Sequence, residues 1–293
     1  MRNVMHFTKR IKMPWLMGFS FYDLLELYVI GIAKGAIAYR AGAIAFSFFM
    51  ALFPFALFIL NLIPYIPIAG FDKDFMAFVA QGVPPNTYDA IATILNDILN
   101  NSHSGLLSTG FVMSILLMAN GLNAILGGFE TSKHVILKRG FFRQYVVAIG
   151  MSLLLSLLLI ITVAAIVVFE VFIQKTIIQD VLSDRIPLLS LGRYVFVIIM
   201  ILITVSVLFK FGIKHDRNRA FISVGSVFTT ILIILSSYGF GIWVIKFSKY
   251  NELYGSIGTL LVMMFYIWIN CMILLLGFEL NGAINKLKKK RIS

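Results

Sequence analysis

Apolar residues along this chain come in long unbroken runs rather than in alternation. Six runs approach or exceed the roughly 20 apolar residues that a helix needs to cross the hydrocarbon layer. They are Ala41–Ile63, Leu106–Leu126, Tyr145–Phe172, Tyr194–Phe209, Ala220–Ile245 and Ile257–Ala283. The fourth is the shortest and reaches spanning length if it begins near Leu188. A transmembrane barrel would alternate apolar and polar positions over about ten residues. The stretch Leu153–Ile161 has no such alternation, so the runs are read as helices. The pattern predicts an all-α polytopic membrane protein. Its six transmembrane helices are accompanied by an N-terminal amphipathic helix and by extracytoplasmic amphipathic helices.

Between the runs the pattern changes. Ser20 and Asp23 have capping-box spacing, and Phe21, Leu24, Leu25, Tyr28 and Ile32 follow at helical period. This predicts an amphipathic helix that leads into Lys34 and Arg40, lying in the membrane interface or packed under the bundle. In 64–105, Pro64, Pro67 and Gly70 end the first span, and Pro84-Pro85 separates two short helical pieces. The second piece can be capped by Asn86 or Asp89, with Tyr88, Ile91, Leu95 and Ile98 on its apolar face. Asp72, Asp74, Asp89 and Asp97 would be repelled by anionic lipid. The two pieces are therefore expected to cover the bundle mouth, as a plain cap or as a gate.

Composition supports this picture. Residues of the AVILMFWYC set make up 60% of the chain and charged residues 13%, against roughly 25% charged in soluble domains. So little charge cannot coat a soluble globule of 293 residues. Soluble enzymes, disordered tails and disulfide scaffolds are excluded, the last also by the single cysteine, Cys271. Residues 1–20 are basic but contain no apolar segment ending at a small-residue cleavage site, so no cleavable signal is expected. The whole chain reads as one integral membrane domain. Residues 1–40 form a tail and interfacial helix, 41–284 the bundle, and 285–293 a basic tail.

The net charge of +12 is sorted by side. With alternate segments assigned to opposite faces, 19 of the 25 Lys and Arg fall with the two termini and the 127–144 and 210–219 loops. The positive-inside rule then places both termini in the cytoplasm. Because the basic residues flank spans, nucleic acid is not the expected partner. The expected partners are membrane lipids, with anionic headgroups attracted at the cytoplasmic face. A homo-oligomer remains open.

Candidate chemistry is sparse. The histidines His6, His103, His134 and His215 lack helical ligand spacing, and no metal, phosphate-loop or nucleophile motif occurs. No catalytic residue, metal or cofactor is expected. The spans do carry polar stripes: Asn120, Asn123, Gly127 and Glu130 in the second; Ser223, Ser226, Thr230 and Ser237 in the fifth; Asn270, Gly277 and Asn281 in the sixth. Such groups should face the bundle interior, as interhelical glue or as the lining of a wet pathway. Arg40, Glu130 and Glu279 fall at one depth by this topology. An intramembrane charge is expensive unless paired. An Arg40–Glu279 contact with Glu130 nearby is therefore expected, as a structural clamp or as a proton or ligand site. Gly-Phe-Glu occurs at both Gly128–Glu130 and Gly277–Glu279. Pro54, in the middle of the first run, predicts a bend or a hinge.

The run from Arg40 to Pro54, Arg-Ala-Gly-Ala-Ile-Ala-Phe-Ser-Phe-Phe-Met-Ala-Leu-Phe-Pro, resembles the opening span of the YihY/BrkB family of bacterial inner-membrane proteins. Tyr254-Gly255-Ser256-Ile257-Gly258 through Gly277-Phe278-Glu279-Leu280-Asn281 resembles its last span, with Phe278 where the family usually has a small residue. The resemblance implies a six-span bacterial plasma-membrane protein. It also brings two labels, an old one of ribonuclease BN and one of virulence or serum-resistance factor. Three functions follow for testing. A transporter or flippase-like exporter of a lipid or amphiphilic envelope compound predicts a cavity lined by Asn120, Asn123, Asn270 and Glu279. A non-transporting envelope scaffold or assembly factor predicts a closed centre. An intramembrane enzyme predicts convergent titratable groups.

Overall fold

The computed structural model describes residues 22, 29, 36–62, 76, 106–132, 135, 139–175, 186–213, 220–246 and 249–292. Their regular structure is α-helical throughout, in six helices. These are α1 (Ile37–Leu62), α2 (Leu106–Glu130), α3 (Phe141–Lys175), α4 (Ile186–Phe211), α5 (Val224–Lys246) and α6 (Lys249–Ile292). Each predicted span falls on one of them. Tyr22 and Val29 are helical, but the rest of the predicted interfacial helix lies outside the described residues. So do the two pieces predicted in 64–105, apart from Met76.

Several helices outrun their apolar cores. α4 begins at Ile186, with Pro187 in its first turn, where the missing N–H of proline is harmless. α6 is 44 residues long and continues through the basic tail to Ile292. Beyond Gly282 that tail offers Ala, Leu, Lys and Arg, all strong helix formers, and neither glycine nor proline to stop it. Pro54 lies inside α1, whose helical course continues past it to Leu62.

Four stretches of the described residues are long and apolar enough to cross a bilayer: Phe141–Val167, Leu191–Phe211, Val224–Trp243 and Leu260–Lys286. The described apolar parts of α1 and α2, Ile37–Leu52 and Ile115–Glu130, are shorter. Side chains such as Leu153, Leu154, Leu157 and Ile161 on α3 are exposed. In water such a patch would demand a partner, whereas in a bilayer it meets acyl chains.

Two compact units divide the chain. One is Met50–Leu122 with Val146–Met200. There Ser152, Ser156 and Thr162 donate to carbonyls of their own helix, at Ile149, Leu153 and Leu158. A hydroxyl satisfied this way needs no second helix inside hydrocarbon. The other unit is Met1–Phe49, Asn123–Tyr145 and Ile201–Ser293. It gathers the start of α1, the end of α2, the start of α3, the end of α4, and all of α5 and α6.

α6 is the hub of this second unit. From Gly277 to Ile284 every position is buried, so two full turns have neighbours on all sides. Successive residues project about 100° apart. Gly277, Phe278 and Glu279 therefore address three different neighbours. Gly277 lies against Thr229 and Gly225 of α5, so closely that a Cβ would overlap them. Phe278 stacks on Phe129 of α2, with centroids 4.3 Å apart and rings 10° from parallel. Phe209 of α4 meets both rings edge-on, at 5.7 and 5.8 Å. Glu279 turns to α1.

Candidate functional site

The first turn of α1 positions Arg40, and its guanidinium reaches two other helices. Nη1 donates to Oε1 of Glu279 at 2.9 Å, and Nη2 donates to the carbonyl of Gly128. Ser132, just past the end of α2, donates its hydroxyl to Oε2 of Glu279 at 2.9 Å. Both carboxylate oxygens are thus engaged, and the side chains of Arg40 and Glu279 are only 10% and 5% exposed. The pair is desolvated and fully oriented. Burial makes it worth little net stability against an apolar substitute, but costly to break one partner at a time.

The end of α2 explains why a cation is welcome here. The last carbonyls of a helix lack intrahelical partners and carry partial negative charge. Gly127 O accepts Thr131 N, and Phe129 O accepts Ser132 N. Gly128 O accepts both the Arg40 guanidinium and the Thr131 hydroxyl. Gly128 also lets α1 come close, since a Cβ there would meet the Ile44 side chain at 2.5 Å.

Glu130 is buried but does not join this pair. Its Oε1 accepts the backbone N–H of Arg139 at 3.2 Å. The Arg139 side chain closes the end of α4: Nη1 donates to Gly212 O, and Nη2 donates to Phe211 O and Ile213 O, at 2.6–2.9 Å. A guanidinium over terminal carbonyls completes both their hydrogen bonding and the helix field. Desolvation pushes the Arg139 pKa down; nearby Glu130 opposes that shift and Arg143 adds to it. Sequence reasoning counted Arg139 only as one of many basic loop residues.

The polar stripes of α5 and α6 meet each other. Ser223 caps α5: its Oγ accepts Ser226 N at 3.1 Å, while Ser226 Oγ accepts Ser223 N at 2.9 Å. Asn281 of α6 completes the cap, its Oδ1 accepting Gly225 N and its amide donating to Ser223 Oγ, both at 2.8 Å. Farther along, Ser237 and the Tyr266 hydroxyl share a hydrogen bond of 2.7 Å. Asn270 donates to the Tyr266 carbonyl one turn back in its own helix. The buried hydroxyls of Ser206 and Thr229 have no hydrogen-bond partner among the described residues.

The predicted residues are therefore dispersed in role. Arg40 and Glu279 meet, Asn281 holds the start of α5, and Asn270 bonds within α6. In the stripe on α2, Asn120 is exposed, Asn123 and Gly127 are half-buried, and Glu130 is buried. A cleft of about 340 Å³ opens beside the end of α4 and the start of α5; of the predicted residues, Ser223 and Asn281 line it. Among the described residues no three of His, Cys, Asp and Glu gather as a metal site would require. All four histidines lie outside the described residues.

Comparison with known proteins adds a family. The family model described as "Virulence factor BrkB" matches residues 31–293. YfkH of Bacillus subtilis, whose name likens it to a ribonuclease, is 28% identical over 257 residues, covering 85% of this chain and 90% of the relative. A Coxiella burnetii protein named UPF0761 membrane protein is 24% identical over 253 residues, 84% of this chain and 87% of its own. An Aggregatibacter aphrophilus protein of the same designation is 20% identical over 264 residues, 86% and 88% of the two chains. No solved structure matches.

Proposed function

The chain belongs to the virulence factor BrkB family of membrane proteins, and on that footing we propose that it is a bacterial plasma-membrane transporter. In this reading it acts as a flippase-like exporter of a lipid or amphiphilic envelope compound, with both termini in the cytoplasm. The observation that carries the reading is the desolvated Arg40–Glu279 pair. Intramembrane charges are costly, face the bundle interior and are by default candidates for a substrate or ion pathway. Two apolar residues would close the same space without the desolvation cost. The pair then corresponds to a shut state. Opening this end requires Arg40 to leave both Glu279 and the Gly128 carbonyl, with Pro54 as the bend about which α1 moves.

The ribonuclease wording attached to the Bacillus relative is not carried over. The histidine spacing offers no ligand set, and the described residues offer no metal cluster.

A second reading, a non-transporting envelope scaffold or assembly factor, is favoured by the α5–α6 seam. Gly225 and Gly277 meet with no room for a Cβ, and Asn281 spends its hydrogen bonds on the α5 cap. Reconstitution separates the two. Liposomes containing the purified chain should translocate labelled lipids faster than empty liposomes, and Glu279→Gln should slow them. Rates equal to empty liposomes across a broad lipid panel would leave the scaffold reading. A wild-type rate that Glu279→Gln leaves untouched would retain transport and remove this pair from it.

A further inference from the structure

The cleft beside α4 and α5 has an amphiphile's division of chemistry. Its volume of about 340 Å³ is that of a small ligand site. Among the described residues the polar groups on its wall are Lys210, Ser223, Asn281 and Asn285, with no carboxylate. Ser223 and Asn281 are committed to the α5 cap. That leaves the Lys210 ammonium and the Asn285 amide for a guest. Lys210 sits in the last turn of α4, where a cation would ordinarily serve the terminal carbonyls. Arg139 already occupies the carbonyls of Phe211, Gly212 and Ile213. Among the described residues no carboxylate pairs with Lys210. Among the described residues its charge is therefore uncommitted.

The rest of the mouth is apolar. Phe221, Ile222 and Val224 line the cleft yet are 39%, 54% and 42% exposed. They lie where the chain enters α5, at the start of its apolar stretch Val224–Trp243. Lys210 is itself exposed, so a cation and an apolar lip stand side by side at the mouth, an arrangement that suits a molecule with an anionic head and apolar chains. The hydrogen-bond donors at the start of α5 are largely taken by its cap, so the helix contributes field rather than bonds.

We propose that this cleft binds one anionic phospholipid, with Lys210 on the phosphate, Asn285 on a neighbouring head-group oxygen, and the acyl chains along Phe221, Ile222 and Val224. The assignment does not depend on transport, because a lipid seated here would brace α4 against α5 in a scaffold as well.

The test uses the full chain purified in detergent and native mass spectrometry. The probes are phosphatidylglycerol and phosphatidylcholine with identical acyl chains, and inorganic phosphate as a competitor. Wild type is compared with Lys210→Gln, Lys210→Arg and, as a control on the basic tail, Lys286→Gln. Melting temperatures confirm that each variant is folded. The expected result is one phosphatidylglycerol held about fivefold more tightly than phosphatidylcholine. Lys210→Gln should abolish that preference, Lys210→Arg should keep it, Lys286→Gln should leave it unchanged, and phosphate should not displace the lipid. Equal retention of the two lipids overturns the proposal. So does a preference insensitive to Lys210→Gln or lost equally in Lys286→Gln. Displacement by phosphate alone would reassign the cleft to a free anion.

Discussion

Phe129 and Phe278 stack face to face, 4.3 Å between centroids, and each is the middle residue of a Gly-Phe-Glu segment. The two segments share a logic. In each the glycine lies against a neighbouring helix, the phenylalanine joins the shared stack, and the glutamate is buried. Phe278→Ala removes one leaf of that stack and the edge contact with Phe209. Truncating a buried phenylalanine costs about 3–5 kcal/mol. Chemical unfolding in detergent should show a loss of that size, and Phe278→Leu should lose clearly less.

The charge pair should behave as a unit. Glu279→Leu strands a buried guanidinium and Arg40→Met strands a buried carboxylate, each at a cost of about 3–5 kcal/mol. The double variant should be more stable than the sum of the singles implies, by at least about 1 kcal/mol. A double-mutant cycle on unfolding free energy reads this directly, and additive losses would show that the two side chains do not depend on each other.

Gly277→Ala should be the harsher of two glycine substitutions. Its new Cβ would overlap the Thr229 hydroxyl and approach the Gly225 carbonyl, which is backbone and cannot step aside. Overpacking of this kind costs about 1–3 kcal/mol or more. Gly128→Ala meets chiefly the movable tip of Ile44 and should cost less. Melting temperatures of the two purified variants, ranked against wild type, check the order.

Arg139→Ala would leave the Phe211, Gly212 and Ile213 carbonyls without their charged donor. Losing charge-assisted bonds of this sort should cost about 2 kcal/mol, with Arg139→Lys recovering part of it. Hydrogen exchange should accelerate in the last turn of α4 and remain unchanged in α5. Uniform acceleration through both helices would mean global destabilisation rather than a lost cap.

Ala36, just ahead of α1, has a φ of 45°, a left-handed value that burdens any residue with a Cβ. Ala36→Gly should raise stability by about 1 kcal/mol, measurable as a higher unfolding midpoint.

These residues also show what the sequence could and could not disclose. Arg40 and Glu279 were legible as partners because a charge at membrane depth has few ways to be satisfied. Glu130 obeys the same rule, yet its partner is a backbone N–H in the loop before α3, which no residue type announces. Arg139 was hidden for the converse reason: basic loop residues look alike until one finds a helix end. Asn281 was placed on the correct face of α6, but capping another helix is a relation between elements distant in the chain. The recurrence of Gly-Phe-Glu was visible, whereas the stacking of its rings required two helices to be side by side. The first Asn of the α2 stripe is exposed; helical period reports which residues align, not what packs against each of them.

Glu279 and Asn281 stand on nearly opposite sides of α6, one gripping α1 and the other the opening turn of α5. A rod held from both flanks cannot swivel in either direction without slackening both grips together. Any twist of α6 would therefore disturb two neighbours at once.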